Sequence, residues 1–531
     1  MTTMKRRNIY INTGNEGFRT ARNGEYVDKS ALIAVINQTL NTERMFSCVS
    51  RCRRFGKSMA AKMLNAYYDQ SCDSHELFQD LAIANAPSYE QHLNKYPVIY
   101  LDMTDFVTRN IPHDELVDAL ERMLMDEMSS VYPEVSVKSD DDLMNQLIRI
   151  TQHTGQKFIM IIDEWDAICR ELSDTPQAMD RYVNLLRRLF KGSNTMQVFA
   201  GVYMTGILPI KKYNTQSALN NFTEYSMVMP GRLAGYFGFT RQEVKMLADR
   251  HGMDYDELER WYDGYQLGDI TSVFNPNSVM QAVYNNYCES YWGSTGSYNA
   301  VAHYIRMNFD GLKDGVIRML SGDRVVVDAS TFQNDMSIVS SRDDVLTLLI
   351  HLGYLSYDRQ QKECYIPNKE VAGEMANAVK ENNWKNVIEA LEASRALLQA
   401  TLDGDADAVA RGVEAVHDDS TSILSYNNEN SLACVLSLAY YYARNEYVVH
   451  REYATGKGFA DLVLIPRKGV DSPAIIIELK YGDSAQAAID QIRSRQYSQK
   501  VADYADRLLL VGISYDKATK QHECSIERAK Q

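Results

Sequence analysis

The sequence has no apolar run that approaches the ~20 residues needed to cross a membrane. Its first segment, Met1 to Asn15, is basic and polar without an apolar core, so we expect no secretory signal. The eight cysteines include no Cys-x-x-Cys pair, which argues against a zinc knuckle and a disulfide framework. Because reduced thiols fit a cytosol best, we expect a cytoplasmic protein that does not bind membranes.

The chain also lacks an excess of positive charge. Its formal charge is −14 and its pI is near 5.3, which argues against a large basic surface for nucleic acid. Any contact with nucleic acid must then be local, through clustered Lys and Arg or through bound metal ions. With 45% hydrophobic and 24% charged residues, the 531-residue chain is typical of globular proteins and long enough for two or three domains.

A basic, glycine-containing turn lies between a short apolar run and a helical pattern. The run from Met45 to Val49 predicts a strand, and the apolar spacing from Met59 to Tyr68 predicts one face of a helix. In a strand–turn–helix of this kind, backbone N–H groups and the positive helix end bind the phosphates of a nucleotide. The predicted nucleotide-binding residues of the turn are Arg53, Arg54, Phe55, Gly56, Lys57 and Ser58.

Two residues of this turn have distinct predicted roles. Lys57 is expected to reach the β- and γ-phosphates, and the Ser58 hydroxyl is expected to bind Mg²⁺. The usual spacing places a glycine five residues before Gly56, where this chain has Arg51. A basic turn that merely caps a helix is the alternative, and only the acidic strand end described next favours the nucleotide site.

Two carboxylates follow a second apolar run. The five apolar residues 158–162 suit a central parallel strand buried on both faces, and Asp163 and Glu164 stand at its carboxyl end, where α/β sheets bind ligands. We expect Asp163 to hold Mg²⁺, directly or through water, and Glu164 to polarise the attacking water. Thr205, at the tip of a further predicted strand, is a candidate sensor of the γ-phosphate. The alternative is a strand that ends in a solvated acidic turn.

From residue 236 onward the pattern becomes mostly helical. Thr240 to Glu243 forms a capping-box sequence, and Asn275-Pro276 opens another helix. A hairpin-like piece from Leu352 to Pro367 could complete a winged-helix-like unit, and the roles of lid, spacer and DNA-binding wing remain open. The acidic segment from Asp403 to Asp407, with its Gly and Ala residues, predicts a linker.

A third informative pattern lies near the C-terminus, where two apolar strands joined by a short polar turn predict a hairpin. Side chains alternate along a strand, so Glu478 and Lys480 point the same way, and pairing can bring Asp461 beside them. The two carboxylates with the carbonyl of Leu479 form a hard oxygen site suited to Mg²⁺. Lys480 can position a water and help deprotonate it, which is the chemistry of phosphodiester hydrolysis.

Three further residues are predicted to support this metal site. Glu429 precedes an apolar helix, Gln491 lies on the helix that follows the hairpin, and Tyr497 comes just after that helix. The alternative is an ordinary hairpin with a surface Glu/Lys pair, since Asp…Glu-x-Lys occurs often by chance. The polar residues here interrupt otherwise apolar strands, which favours the nuclease interpretation.

Several motifs, in the same order over nearly the whole chain, resemble a bacterial AAA-ATPase-like family. Its members usually carry a C-terminal nuclease-like domain of the PD-(D/E)XK superfamily, and two segments here, 456–461 and 477–480, are similar to the metal motif of that domain. The motifs that carry the first resemblance are Tyr26–Ser30, Arg53–Ser58, Ile162–Asp166, Trp261–Tyr265 and Asn275–Ser278.

The resemblance implies an α/β protein in three parts. These are a P-loop NTPase domain with a parallel sheet at residues 1–235, a mostly helical middle region at 236–420, and an α/β restriction-endonuclease-like domain at 421–531. It implies an ATP-binding hydrolase coupled to a Mg²⁺-dependent nuclease that acts on nucleic acid, with DNA favoured and a homo-oligomer as one option. The alternatives are a nucleotide-controlled switch or scaffold whose C-terminal domain binds nucleic acid or protein without cleaving, and a plain ATPase with a relic C-terminal domain.

Overall fold

The structure is a computed structural model, and among the residues it describes no helix is long and apolar enough to cross a membrane. The described residues are 8–136, 138, 141–172, 175–210, 212–213, 216–217, 219–292, 303–307, 309–332, 339–381, 385–421, 435–455, 458–467, 470–494, 504–516, 518–519 and 521–529.

The backbone packs into two compact units. The first comprises Met1–Trp292 and Val326–Glu370, and the second comprises Gly293–Val325 and Val371–Gln531. The fold class is confirmed, since a parallel α/β sheet lies in the first unit and a mixed α/β sheet near the C-terminus, with mainly helices between them in sequence. The predicted domain limits at residues 235 and 420 stay predictions.

The first unit is built on five parallel strands. They are β1 (Phe46–Ser50), β2 (Val98–Asp102), β3 (Phe158–Asp163), β4 (Phe199–Gly206) and β7 (Thr223–Tyr225), and their order in the sheet is β2-β3-β4-β1-β7.

Strands β1, β3 and β4 are buried along their whole length because both faces of the sheet are covered. Met160 and Ile162 belong to one hydrophobic cluster, whereas Ile159 and Ile161 belong to another. Alternate residues of β3 therefore pack into two separate layers of the core. The continuous apolar run at residues 158–162 therefore forms a central strand, as predicted.

Helices alternate with strands along the chain. In chain order the α-helices are α1 (Glu16–Arg22), α2 (Ala31–Asn37), α3 (Lys57–Tyr68), α4 (His75–Phe78), α5 (Tyr89–His92), α6 (Met103–Val107), α7 (Leu116–Val131), α8 (Leu143–Thr154), α9 (Ala167–Glu171), α10 (Pro176–Phe190), α11 (Thr195–Val198), α12 (Arg241–His251), α13 (Tyr255–Tyr262), α14 (Pro276–Asn285), α15 (Leu312–Leu320), α16 (Arg342–Leu352), α17 (Lys369–Glu381), α18 (Lys385–Asp403), α19 (Ala406–Thr421) and α20 (Ala485–Ser494).

Short strands accompany the later helices. They are β5 (Lys212–Tyr213), β6 (Gln216–Ser217), β8 (Phe239–Thr240), β9 (Tyr265–Leu267), β10 (Ile270–Phe274), β11 (Val325–Val326), β12 (Ser356–Asp358) and β13 (Glu363–Tyr365). The antiparallel pair of β12 and β13 is the hairpin predicted in this region.

Two helix starts follow directly from the sequence. The Thr240 hydroxyl accepts a hydrogen bond from the N–H of Glu243 at 3.4 Å, and the Glu243 carboxylate accepts one from the N–H of Thr240 at 2.7 Å, so the predicted capping box opens α12. The Asn275 side chain caps α14, and Pro276 takes the first helical position, where its missing N–H costs nothing.

The predicted linker at Asp403–Asp407 is wrong. Helix α18 ends at Asp403 and α19 begins at Ala406, so the segment is a tight turn between two packed helices. A Cβ at Gly412 would stand 2.3 Å from the Leu397 side chain, which shows how closely the helices approach. Small and acidic residues are common both in tight turns and in linkers, so composition alone does not distinguish a turn from a linker.

The C-terminal sheet contains five strands. They are β14 (Tyr447–Thr455), β15 (Gly458–Pro466), β16 (Ala474–Tyr481), β17 (Leu508–Asp516) and β18 (Gln521–Arg528), and they lie in this order. Strands β16 and β17 are parallel, whereas the other neighbours are antiparallel. Helix α20 forms the crossover between the parallel strands, and a Cβ at Gly512 of β17 would stand 2.2 Å from the carbonyl oxygen of Ala485. Only glycine allows this close approach.

Candidate nucleotide and metal sites

The turn between β1 and α3 contains two residues in the left-handed backbone region. The φ angle is +67° at Arg54 and +87° at Gly56, which immediately precedes α3. A Cβ at Gly56 would meet nothing within 4 Å, so glycine is needed there for the backbone conformation and not for space. Turns of alternating handedness followed by a helix expose successive N–H groups, which is the geometry that binds phosphate.

Arg51, which stands where the usual loop has glycine, lies inside the protein. Its guanidinium donates hydrogen bonds to the carbonyl oxygens of Ser50 at 3.0 Å and Tyr225 at 2.6 Å, and it packs over the ring of Phe237 at 5.4 Å. Burial lowers the pKa of Arg51 to about 10. This arginine therefore joins the ends of β1 and β7 beneath the loop.

Lys57 is the first residue of α3, and only 3% of its side chain is exposed. Its ammonium donates a hydrogen bond to the carbonyl oxygen of Cys52 at 3.1 Å and lies 3.5 Å from Oε1 of Glu164. A buried ammonium is costly without such partners. The Lys57 ammonium thus contacts both the loop, at Cys52, and the residue that follows β3, Glu164.

Asp163, at the end of β3, is 1% exposed and accepts hydrogen bonds from several donors. These are the hydroxyl of Thr205, the hydroxyl of Ser58 and the backbone N–H of Glu164, the last at 3.2 Å. Burial raises the pKa of Asp163, while the hydroxyl hydrogen bonds from Thr205 and Ser58 oppose that rise. The structure thus brings together three residues predicted separately from three parts of the chain.

Glu164 lies between two cations. Its backbone has a φ of +50°, and its carboxylate is 3.5 Å from Lys57 and 2.6 Å from Nη2 of Arg170. A non-glycine residue in the left-handed region is strained, and such strain concentrates at functional sites. The side chain of Glu164 is therefore oriented by charge on both sides.

Arg170 and Asp166 belong to the same network, and sequence reasoning did not assign them to the site. Nε of Arg170 is 3.1 Å from Oδ2 of Asp166, which also accepts hydrogen bonds from the N–H groups of Ile207 and Leu208 at 3.1 and 2.8 Å. Burial lowers the pKa of Arg170, but the carboxylates of Asp166 and Glu164 outweigh it and leave that pKa above its ordinary value. The available signal was an acid and a base four residues apart on a helix.

The remaining predicted residues of the turn act mainly as anchors. Phe55 is 1% exposed and packs edge-on against Tyr265, with ring centroids 5.0 Å apart. Arg54 donates a hydrogen bond to the carbonyl oxygen of Tyr291 at 3.2 Å, and burial lowers the pKa of Arg54. Arg53 lies in the same turn, beside these two residues.

A cleft of about 600 Å³ opens beside the turn. Its walls comprise the turn and the first two turns of α3, a segment near the N-terminus, and one face of α14. Of these three walls, the sequence predicted only the first as part of the site, together with Glu164, which also lines the cleft. The other two walls contain the motifs Tyr26–Ser30 and Asn275–Ser278. In the sequence these motifs indicated only a family resemblance. Apart from Glu164, the segments that line the cleft fall within residues 20–29, 54–63, 236–239 and 276–284.

The C-terminal hairpin also assembles as predicted. Leu462 of β15 pairs with Ile477 of β16, which places Asp461 next to Glu478 at the adjoining position. Oδ2 of Asp461 accepts a hydrogen bond from the N–H of Leu479 at 2.7 Å. Two carboxylates thus meet around the backbone of Leu479.

Gln491 of α20 donates a hydrogen bond to Glu478 at 2.5 Å, and Glu478 is 3% exposed. Lys480 follows on the same strand and is half-buried. The structure therefore brings together Asp461, Glu478 and Gln491. The two other predicted supporting residues, Glu429 and Tyr497, lie outside the described residues.

Within the described part of the chain, no group of three or more His, Cys, Asp or Glu side chains is placed to hold a metal ion. The predicted metal sites have a different composition. One combines the Ser58 hydroxyl with Asp163, and the other combines Asp461 and Glu478 with the carbonyl of Leu479. All of these donors are oxygens, which is the ligand type that Mg²⁺ prefers. The donor sets therefore fit the predicted cation.

Two segments of the chain, one near each end, match models of known protein families. Residues 13–215 match the model of a family described as Predicted AAA-ATPase, and residues 427–524 match the model of the PD-(D/E)XK nuclease superfamily. Both parts of the resemblance drawn from the sequence are thereby confirmed. The chain joins an AAA-ATPase-like segment to a nuclease-like segment.

Two individual proteins are also similar. An uncharacterized protein in the vnfD 5′ region of Azotobacter chroococcum mcd 1 is 24% identical over 305 residues, which are 55% of this chain and 55% of that protein. The chain thus spans about half the length of this curated relative. The ORC2 protein of Aeropyrum pernix, solved as ADPNP–ADP complexes, is 10% identical over 67% of this chain and 93% of its own, with a TM-score of 0.25. That TM-score is too low for structural conclusions.

Proposed function

We propose that this chain, which joins an AAA-ATPase-like segment to a PD-(D/E)XK nuclease-like segment, is a cytoplasmic ATPase coupled to a Mg²⁺-dependent nuclease that acts on DNA. One observation carries the first half. Lys57 and Ser58 begin a helix at the carboxyl end of a parallel sheet and contact Glu164 and Asp163, beside a cleft large enough for a nucleotide. The cysteines that the structure describes are free thiols, in keeping with a reducing compartment.

Each residue of the site has a distinct role in the proposed ATP hydrolysis. The N–H groups of the turn and the ammonium of Lys57 bind phosphate oxygens. Ser58 and Asp163 would hold Mg²⁺, which would neutralise charge on the phosphates. Lys57 lies 3.5 Å from Glu164. Phosphate competes for this cation, so nucleotide binding frees one carboxylate oxygen of Glu164 to accept a proton from the attacking water.

Two variants separate binding from chemistry. Lys57→Ala should bind Mg·ATP at least about tenfold more weakly, because a buried cation no longer meets the phosphates, and should lose hydrolysis. Glu164→Gln should retain binding and lose hydrolysis, because an amide cannot accept the proton. Isothermal titration with ATP and release of inorganic phosphate measure the two properties. Normal turnover in Lys57→Ala would exclude the proposed site.

The second half of the proposal rests on the oxygen donors of the C-terminal hairpin. Asp461, Glu478 and the Leu479 carbonyl would hold Mg²⁺, and bound Mg²⁺ would polarise a phosphodiester and its attacking water. Lys480 would position that water, and Gln491 would keep the Glu478 carboxylate in place through its 2.5 Å hydrogen bond.

Plasmid and single-stranded DNA, incubated with Mg²⁺ or Mn²⁺ with and without ATP, test this half directly. We expect the wild type to cleave and Glu478→Ala to be inactive, with cleavage altered by ATP. DNA binding should be weak and sensitive to salt, since an acidic chain can offer only a local contact. Cleavage that persists in Glu478→Ala would contradict the assignment of the metal site.

A second candidate is a nucleotide-controlled switch whose C-terminal domain binds nucleic acid or protein without cleaving it. The observation in its favour is the 3% exposure of Glu478, whose carboxylate already accepts a hydrogen bond from Gln491. No cleavage by the wild type with either metal, together with intact ATP hydrolysis, would favour the switch over the nuclease.

A further inference from the structure

The chain passes between the two units at three points, and two of these lie close together. The chain leaves the first unit after Trp292 and again after Glu370. Glu370 is 1% exposed, and its carboxylate accepts a hydrogen bond from the backbone N–H of Tyr291 at 2.7 Å. The hydroxyl of Ser278, in the first turn of α14, lies 3.0 and 2.9 Å from the two oxygens of the same carboxylate. We call Ser278, Tyr291 and Glu370 the exit clasp, because they hold both exits to a helix that lines the cleft.

The second exit lies within a continuous helix. Helix α17 begins at Lys369, and the boundary between the units falls after its second residue, Glu370. Backbone hydrogen bonds join each turn of a helix to the next, so successive turns move together. A displacement of Glu370 is therefore carried along α17 into the second unit and is not absorbed by a loop.

The phosphate-binding turn contacts the same place through two of its residues. Arg54 donates a hydrogen bond to the carbonyl oxygen of Tyr291 at 3.2 Å. A Cβ at Gly353 would stand 2.6 Å from Cβ of Cys52 and 2.9 Å from the ring of Trp292, so these two side chains pack against one glycine. The turn thus contacts Tyr291 directly and Trp292 through Gly353.

Arg54 is placed to exchange partners when phosphate binds. Its side chain is exposed and lines the cleft, and in the described part of the chain its one hydrogen-bond acceptor is the Tyr291 carbonyl. A neutral carbonyl at 3.2 Å is a weaker acceptor than an anionic phosphate, which a guanidinium can bind through two parallel hydrogen bonds. We therefore expect phosphate on the turn to draw Arg54 away from Tyr291.

We propose that nucleotide bound at the phosphate-binding turn releases the exit clasp and thereby controls the C-terminal nuclease-like segment. This regulation rests on the proposed function, because it requires a triphosphate to lie against Arg54 and Lys57. Coupling between two sites acts equally in both directions. If nucleotide opens the clasp, a variant with a weakened clasp must bind nucleotide more tightly, whereas simple damage near a site weakens binding.

Ser278→Ala tests this linkage. The change removes the hydroxyl that donates to Glu370 and leaves every residue that lines the cleft in place. Isothermal titration of the full chain should show Mg·ATP binding about 2- to 10-fold tighter than in the wild type, which is the equivalent of one hydrogen bond.

Ser272→Ala is the matched control. The Ser272 hydroxyl also donates to a carboxylate of the first unit, that of Asp263, at 2.9 and 2.8 Å, but neither residue lines the cleft or adjoins an exit. The affinity for Mg·ATP should therefore stay at the value of the wild type.

Hydrogen exchange measures the release without any substitution. When the wild type is saturated with Mg²⁺ and a non-hydrolysable ATP analogue, the Tyr291 amide should exchange at least about fivefold faster, because its bond to Glu370 opens. The Gln266 amide, which donates to the Ser356 hydroxyl at 2.8 Å in the same unit, should keep its rate. Mass spectrometry of short peptides follows both amides.

Three outcomes would overturn the coupling and leave the proposed ATPase intact. They are unchanged or weaker ATP binding in Ser278→Ala, equal gains in Ser278→Ala and Ser272→Ala, and unchanged exchange at Tyr291. The exchange measurement decides by itself should Ser278→Ala fail to fold. Absence of nucleotide binding by the wild type would overturn the coupling and the ATPase together.

Discussion

The two candidate sites hold their carboxylates in different ways. In the first unit, Glu164 lies between the cations of Lys57 and Arg170, at 3.5 and 2.6 Å. In the C-terminal sheet, Asp461 accepts a hydrogen bond from a backbone N–H, and Glu478 accepts one from the amide of Gln491. Cations fix a carboxylate and also neutralise it, whereas neutral donors fix it and leave its charge available. The first arrangement suits a proton acceptor released by a ligand, and the second suits a metal ligand.

The largest expected effect is the loss of one activity, ATP turnover or metal-dependent cleavage, while the other is retained. Asp461→Ala should lower metal-dependent cleavage by about 10³-fold, because a ligand worth several kcal/mol is lost, and should leave ATP turnover within about twofold of the wild type. Lys57→Ala should abolish ATP turnover while any ATP-independent cleavage persists. Phosphate release and plasmid nicking, measured on the same preparations, give both numbers. Loss of both activities in each variant would show that the sites do not act separately.

The next effect is on stability at the charged site. Arg170→Ala removes the cation 3.1 Å from the buried Asp166 carboxylate, leaves Glu164 with Lys57 alone, and should cost about 3–5 kcal/mol in the free energy of unfolding. Urea denaturation measures this loss. Arg181→Ala, which breaks an exposed pair with Asp118, is the control and should cost at most about 1 kcal/mol. Equal losses in the two variants would contradict a structural role for the buried network.

A smaller loss is expected at the neutral site. Gln491→Ala removes a hydrogen bond to the buried Glu478 carboxylate and should cost about 1.5–3 kcal/mol. Urea denaturation again provides the measurement, and Gln486→Ala on the exposed side of α20 is the comparison. A loss as large as that of Arg170→Ala would mean that the two sites are held equally tightly.

The smallest effect concerns pH. Burial raises the folded-state pKa of Asp163 above that of the unfolded chain, so the folded state binds more protons, and stability falls as pH rises from the ordinary Asp value through the raised one. Asp163→Asn removes this titration. The variant should therefore gain stability relative to the wild type as pH rises above about 4, although its Mg²⁺ site is impaired. Parallel pH profiles of the two proteins would refute the predicted shift.

Much of the fold was predictable because its signals are local. The apolar run before Asp163 marks a buried strand, and the carboxylates at its end mark the binding edge of a parallel sheet. Gly56 follows from the turn that phosphate requires. The C-terminal hairpin and the Asp461–Glu478 neighbourhood follow from alternation and strand pairing alone.

The rest depends on contacts between distant segments. Nothing near Arg51 in sequence indicates that it bonds to Tyr225, 174 residues later. The role of Arg170 becomes visible only when the segment that follows β4 supplies the N–H groups of Ile207 and Leu208 that hold Asp166. The walls of the cleft come from segments more than 200 residues apart, and a periodicity analysis treats each of them as an ordinary surface. The assignments of Glu429, Tyr497, Mg²⁺ and DNA stay predictions.

The composite cleft also sets the smallest fragment of the chain that could hold a nucleotide. A fragment that starts at β1 keeps the whole phosphate-binding turn but loses the wall formed by residues 20–29. A fragment that stops at residue 235 keeps the sheet but loses α14. Truncation at either point should leave a protein that binds nucleotide weakly, because one wall of the cleft is missing. The smallest fragment that keeps the whole cleft therefore extends from before residue 20 to beyond residue 284.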